Sequence, residues 1–144
     1  MRIIKLGLIS AVVFALLITA FSLMIPSHVR ISKAIDISVH RDSLLNQLSS
    51  TTNWKNWYPG ADSIQQISEI TSITDSTVIA KQKRAESGWN LYDAGIPGTL
   101  TVQWYMDFHL RWYPWEKFSS LLLEKRYGPV MEKGLDNLKK LLEK

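Results

Sequence analysis

The sequence predicts an α+β protein in which an antiparallel sheet wraps around a long C-terminal helix, preceded by one transmembrane helix. Three observations predict it. Residues 99–112 alternate without a break: Leu100, Val102, Trp104, Met106, Phe108, Leu110 and Trp112 are apolar, while Thr99, Thr101, Gln103, Tyr105, Asp107, His109 and Arg111 are polar or amphipathic. That is the period of a strand with one buried face. From Phe118 onward the period becomes helical, with Phe118, Leu121, Leu122, Val130, Met131, Leu135, Leu138, Leu141 and Leu142 on one side. Finally, Leu6–Ile25 is a twenty-residue run without a charge, about 30 Å long as a helix, the hydrocarbon thickness of a bilayer.

The chain therefore divides into an anchor, residues 1–25, and one domain, residues 26–144, long enough to bury a core. The triplet Ala20-Phe21-Ser22 is of the small-x-small kind that a signal peptidase accepts, so a cleaved leader is the competing reading. The apolar run continues through Leu23-Met24-Ile25, and cleavage at the triplet would leave an apolar stub, which favours the anchor. Arg2, Lys5 and the α-amine flank one side, with Arg30 and Lys33 on the other; the positive-inside bias then puts the domain on the extracytoplasmic side. Only Pro26 and Ser27 separate the span from the next element, so the domain is expected directly on the membrane surface.

Within the domain, Val29, Ile31, Ile35, Ile37 and Val39 share one face of a first strand, with Lys33 out of pattern. His40-Arg41-Asp42-Ser43 has the chemistry of a helix start, and Leu44, Leu45 and Leu48 give a short helix its apolar side. Trp54 and Trp57 stand one helical turn apart before a turn at Pro59-Gly60. Ile64, Ile67, Ile70 and Ile73 recur every three residues in a Ser/Thr-rich stretch, which suits a bulged strand. A strand follows over residues 77–83, a turn at Ser87-Gly88, a short strand over residues 89–92, and a turn at Gly95-Ile96-Pro97-Gly98. The long strand runs on the order of 45 Å and Pro114 stops it. In the C-terminal helix, Gly128-Pro129 reads as an interruption, with Pro129 opening a new helix. Gly134 lies in the apolar sector, where a missing side chain lets the backbone approach the sheet.

Composition excludes several function classes. The net charge of +4 includes Arg2 and Lys5; residues 26–144 carry 15 Lys/Arg against 13 Asp/Glu, without the clustered cations of a nucleic-acid surface. The absence of cysteine excludes disulfides, thiolate nucleophiles and cysteine metal sites. His28 and His40 flank the first strand, roughly 40 Å apart, and cannot share a metal. The chain has no P-loop, GxGxxG or GxSxG element, and no cofactor is expected.

Two stretches resemble a known family. Asn53-Trp54-x-x-Trp57-x-Pro59 is similar to the NWxxWxP element of START-related (SRPBCC, polyketide cyclase/dehydrase-type) proteins. Gly128-Pro129-x-x-Glu132-Lys133-Gly134-Leu135-x-Asn137-Leu138-Lys139 is similar to that superfamily's GPxxEKGLxNLK C-terminal helix. The resemblance covers residues 28–144, and a bacterial subset of the superfamily carries a single N-terminal membrane helix. It implies the helix-grip fold, with an apolar cavity between sheet and C-terminal helix for lipids, sterols, polyketides or other hydrophobic ligands; a minority of members catalyse cyclisation or hydrolysis. Only residues 61–98 separate Pro59-Gly60 from the last strand, so the meander is expected to be shortened by one or two strands and a large closed cavity is not expected.

The aromatic face supplies the site candidates. Trp57, Trp104, Met106 and Phe108, with Met131 and Leu135 across from them, form the expected ligand wall, although such a stripe also suits plain core packing. Trp112, Tyr113 and Trp115 cluster at the end of the strand, at a height suited to lipid headgroups or to packing. Tyr105, Asp107, His109 and Arg111 share the opposite face. An acid–base pair of His109 with Asp107 would need a concave, dry site, and this row reads as a solvated sheet surface, so no catalytic residue is assigned. The expected function is binding of a hydrophobic molecule or lipid beside the membrane. The alternatives are a cyclase or hydrolase, and a non-catalytic envelope scaffold that binds protein.

Overall fold

A computed structural model of the chain describes residues 1–60, 69–82 and 85–143. The expectations for Ile64, Ile67 and Lys83 lie outside the described residues. Helix α1 (Arg2–Met24) leads through Pro26 into strand β1 (His28–Ser38), helix α2 (Arg41–Leu48) and a 3₁₀ turn (Asn53–Asn56). Strands β2 (Glu69–Ile73), β3 (Thr77–Lys81), β4 (Ala85–Asp93) and β5 (Thr99–His109) follow, then α3 (Pro114–Ser119), a 3₁₀ turn (Ser120–Leu122) and α4 (Leu123–Leu142). The five strands are antiparallel in the order β1-β5-β4-β3-β2. The chain thus folds as an α+β helix-grip: a five-stranded sheet packed on a long C-terminal helix.

The first strand closes the sheet against the last. All eleven residues of β1 pair with β5, from His28↔His109 to Ser38↔Thr99. The long alternation of residues 99–112 therefore yields a strand that stops at His109, short of the expected length. Its partner sets the limit: Leu110 N–H still donates to the Ser27 carbonyl (2.8 Å), but beyond Ser27 the chain turns into Pro26 and α1. Lys33, out of pattern in β1, faces inward at the sheet edge and pairs with Glu132 (3.2 Å) and Glu124 (3.7 Å) of α4. An inward charge on an edge strand discourages pairing with another chain.

Three local expectations are corrected. Ser87-Gly88 is no turn but the middle of β4; a Cβ on Gly88 would run into the Tyr105 ring, which lies over that position. Asp107 and Tyr105 are buried, so the odd face of β5 is not simply solvated. Pro129 sits inside α4, which is continuous. Gly128 has no Cβ to clash with the proline ring, the usual obstacle to helical backbone before proline, and Met131, Leu135 and Leu138 hold the helix on the sheet. Two other expectations match the structure. The register of β2 shifts between Ile70 and Ser72, a bulge, and Gly95 and Gly98 turn the chain with positive φ.

Candidate functional site

The space between sheet and α4 divides into a filled half and an open half. In the filled half, Trp104 and Trp89 face each other across the β5–β4 pair, their rings stacked with centroids 5.4 Å apart. Trp57 meets Trp104 edge-on at 5.9 Å, Tyr58 lies 5.0 Å from Trp104, and Trp54 lies 5.2 Å from Trp89. Backbone carbonyls fix two of these rings: Trp54 Nε1–H donates to Leu48 (3.0 Å) and Trp57 Nε1–H to Gln47 (3.4 Å). Asn137 of α4 donates to the Trp57 carbonyl (3.1 Å). Gly134 lets α4 descend onto this cluster, since a Cβ there would lie 2.8 Å from Trp104 and 3.2 Å from Pro59. Burial pushes the Tyr58 phenol up to about 12.

The open half lies at the end next to α1, and cross-strand register explains it. Opposite Phe108 and Met106, β4 presents only Ala85 and Ser87, so two large side chains face two small ones. A groove of about 340 Å³ remains, lined by Ala85, Met106, Phe108, Leu110, Leu123 and Tyr127, with Gln82, His109, Glu116 and Ser119 at its polar margin. This is at the small end of the range for ligand sites. The Phe108 and Tyr127 rings lie 5.0 Å apart along one wall. Ser87 Oγ, opposite Met106, and Gln82 Nε2, at the groove margin, are buried without a hydrogen-bond partner. A more open depression of about 440 Å³ lies at the far end of the sheet, around Gly95–Thr99; there Arg41 is already tied to the Asp75 carbonyl (2.9 Å) and to Asp93 (3.3 Å).

All six residues expected to form a ligand wall are buried. Met106 and Phe108 line the groove, whereas Trp57, Trp104, Met131 and Leu135 lie in the packed core away from it. Ala85 was not legible as a groove residue, because an alanine gains meaning only once the β4–β5 register sets it against Phe108.

Two polar constellations flank the groove. On the outer face, Arg30 grips Asp107 with two of its nitrogens, Nε to Oδ1 at 2.6 Å and Nη2 to Oδ2 at 2.7 Å, and stacks over Tyr105 at 4.4 Å. These hydrogen bonds hold the Asp107 carboxyl below its ordinary range, helped by the charge of Arg30 and by His28 and His109 and opposed by burial. The exposed His109 ring packs edge-on against His28 at 4.5 Å. At the junction with α1, Lys117 is buried and its ammonium donates to the Ile25 carbonyl (2.8 Å) and to Ser27 Oγ (2.7 Å). The Ile25 carbonyl lies just past the end of α1, where a cation also suits the helix dipole.

No family model matches the chain, and no curated protein matches its sequence closely. Solved structures match it in fold. A START superfamily protein from Mycobacterium smegmatis superposes with a TM-score of 0.61 at 13% identity, over 79% of this chain and 97% of that one. The di-domain ARO/CYC StfQ from the steffimycin biosynthetic pathway gives 0.55 at 9% identity, over 81% of this chain and 51% of that one. The Aha1 dimer from Colwellia psychrerythraea gives 0.53 at 15% identity, over 80% and 96%. At such identities the likeness speaks for the fold alone: the chain has a START-like helix-grip fold.

Proposed function

We propose that this protein is a membrane-anchored START-like domain that holds a hydrophobic small molecule or lipid in the groove between β4–β5 and the C-terminal helices. The observation that carries this reading is the groove itself. Tryptophans fill the far half of the sheet–helix interface, and an apolar channel stays open at the end where the apolar helix α1 joins the domain. Helix α1 is long and apolar enough to cross a membrane, and Arg2 and Lys5 at its start support a domain on the extracytoplasmic side. Binding is favoured over cyclase or hydrolase chemistry because Asp107, fixed in a two-pronged pair with Arg30, lies outside the lining of the groove.

The test is native mass spectrometry of the full chain released from mild detergent. The expected result is a retained apolar molecule at one per chain, lost in Ala85→Trp, whose indole fills the groove. Absence of any retained molecule, or equal retention by Ala85→Trp, would overturn the assignment.

A further inference from the structure

Five large apolar side chains lie exposed within eleven residues beside the groove: Trp112 (62% exposed), Trp115 (67%), Phe118, Leu121 and Leu122. They belong to the segment that leaves β5 and forms α3 and the following 3₁₀ turn. Groove residues interleave with them, since Leu110, Glu116, Ser119 and Leu123 come from the same stretch. The segment is also fixed to the end of α1. Ser22 is buried there and its Oγ donates to the Trp112 carbonyl (3.4 Å), while Lys117 bonds Ile25 and Ser27. Phe21, Leu23 and Met24 of α1 are exposed at this same end, so two apolar surfaces share an edge.

We propose that Trp112, Trp115, Phe118, Leu121 and Leu122 form a second membrane contact, an aromatic collar that sits in the lipid headgroup zone around the exit of α1. Its occupant is the lipid surface. The collar adjoins the helix whose apolar surface calls for lipid, the two are tied by part-buried hydrogen bonds, and exposed tryptophans with a neighbouring tyrosine are the side chains that partition to the membrane–water boundary. A patch of this kind is uncommon on a surface that faces only water. With the collar seated, the groove opens toward the bilayer and a molecule reaches it from lipid without crossing water. This inference rests on the reading of α1 as a spanning helix.

The experiment reconstitutes the full chain in phosphatidylcholine vesicles whose acyl chains carry bromine either near the headgroup or near the methyl end. Four of the six tryptophans, Trp54, Trp57, Trp89 and Trp104, are fully buried, so bromine quenching reports on Trp112 and Trp115. The expected result is stronger quenching by the shallow bromines, falling at least twofold when Trp112→Phe and Trp115→Phe are combined, with flotation of the vesicle-bound chain unchanged. A chain that floats but shows no quenching, or quenching that the double replacement leaves intact, overturns the collar and spares the anchor. A chain that does not float overturns both.

Discussion

Gly134→Ala tests whether the centre of the sheet–helix interface is closed. In an ordinary helix interior the change stabilises, because alanine is favoured over glycine by about 1 kcal/mol. Here the new methyl would stand 2.8 Å from the Trp104 ring and 3.2 Å from Pro59. Trp104 cannot retreat, since it is fully buried, stacked on Trp89 and flanked by Trp57 and Tyr58. Overpacking a core costs about 1–3 kcal/mol, and a ring locked on three sides belongs at the upper end. The net expectation is a loss of about 1–2 kcal/mol once the helix gain of about 1 kcal/mol is offset. The assay is urea unfolding of the full chain in detergent, followed by the fluorescence of the buried tryptophans. With a slope of about 2 kcal/mol per molar, the midpoint falls by roughly 0.5–1 M. An unchanged or higher midpoint would refute the reasoning, because α4 would then stand off Trp104 and leave room there for a cavity.

Two further predictions concern the polar constellations. The Asp107 carboxyl titrates below its unfolded value of about 3.9, so its stabilisation is complete above that pH and is lost as pH falls through the folded value. Asp107→Asn is therefore expected to cost about 1 kcal/mol at neutral pH, a charge-assisted pair discounted for the exposed Arg30. It should also flatten the acid limb of a midpoint-versus-pH curve below about pH 4, and parallel curves for the two proteins would refute it. Lys117→Met keeps the aliphatic stem but strips the Ile25 carbonyl of its buried donor, a loss of about 1–2 kcal/mol. Hydrogen exchange at the Leu110 amide, bonded to the neighbouring Ser27 carbonyl, should then quicken about tenfold; exchange at the wild-type rate would count against the tether.

The parts of the fold that were legible are those whose signal is local. Period two placed β1 and β5, period 3.6 placed α4, and paired glycines placed the turn before β5. Gly134 announced a close approach because it interrupts an apolar sector. The parts that were not legible depend on partners distant in sequence. The end of β5 is set by where β1 begins, not by Pro114. Gly88 reads locally as a turn, and only the Tyr105 ring lying over it explains a glycine in mid-strand. Lys117 has the composition of a surface residue, and its burial follows from a carbonyl contributed some ninety residues earlier. For the site, Met106 and Phe108 could be named from the alternation. Whether a large apolar residue lines a groove or fills a core depends on what stands across the strand pair, and only the register reveals that Trp104 faces Trp89 while Phe108 faces Ala85.

The ladder between β1 and β5 has a mechanical consequence. Force transmitted from α1 enters β1 at His28 and runs along its axis, while the far end of β1 is tied to the C-terminal helix, where Ser38 N–H donates to Glu143 (2.9 Å). A pull on His28 along this axis, resisted by the rest of the sheet through β5, does not unzip the pairing one bond at a time. It loads the ladder sideways, so that all the interstrand bonds share the tension at once. The strand that tethers the domain is thus loaded in shear, the geometry in which a β-ladder resists best.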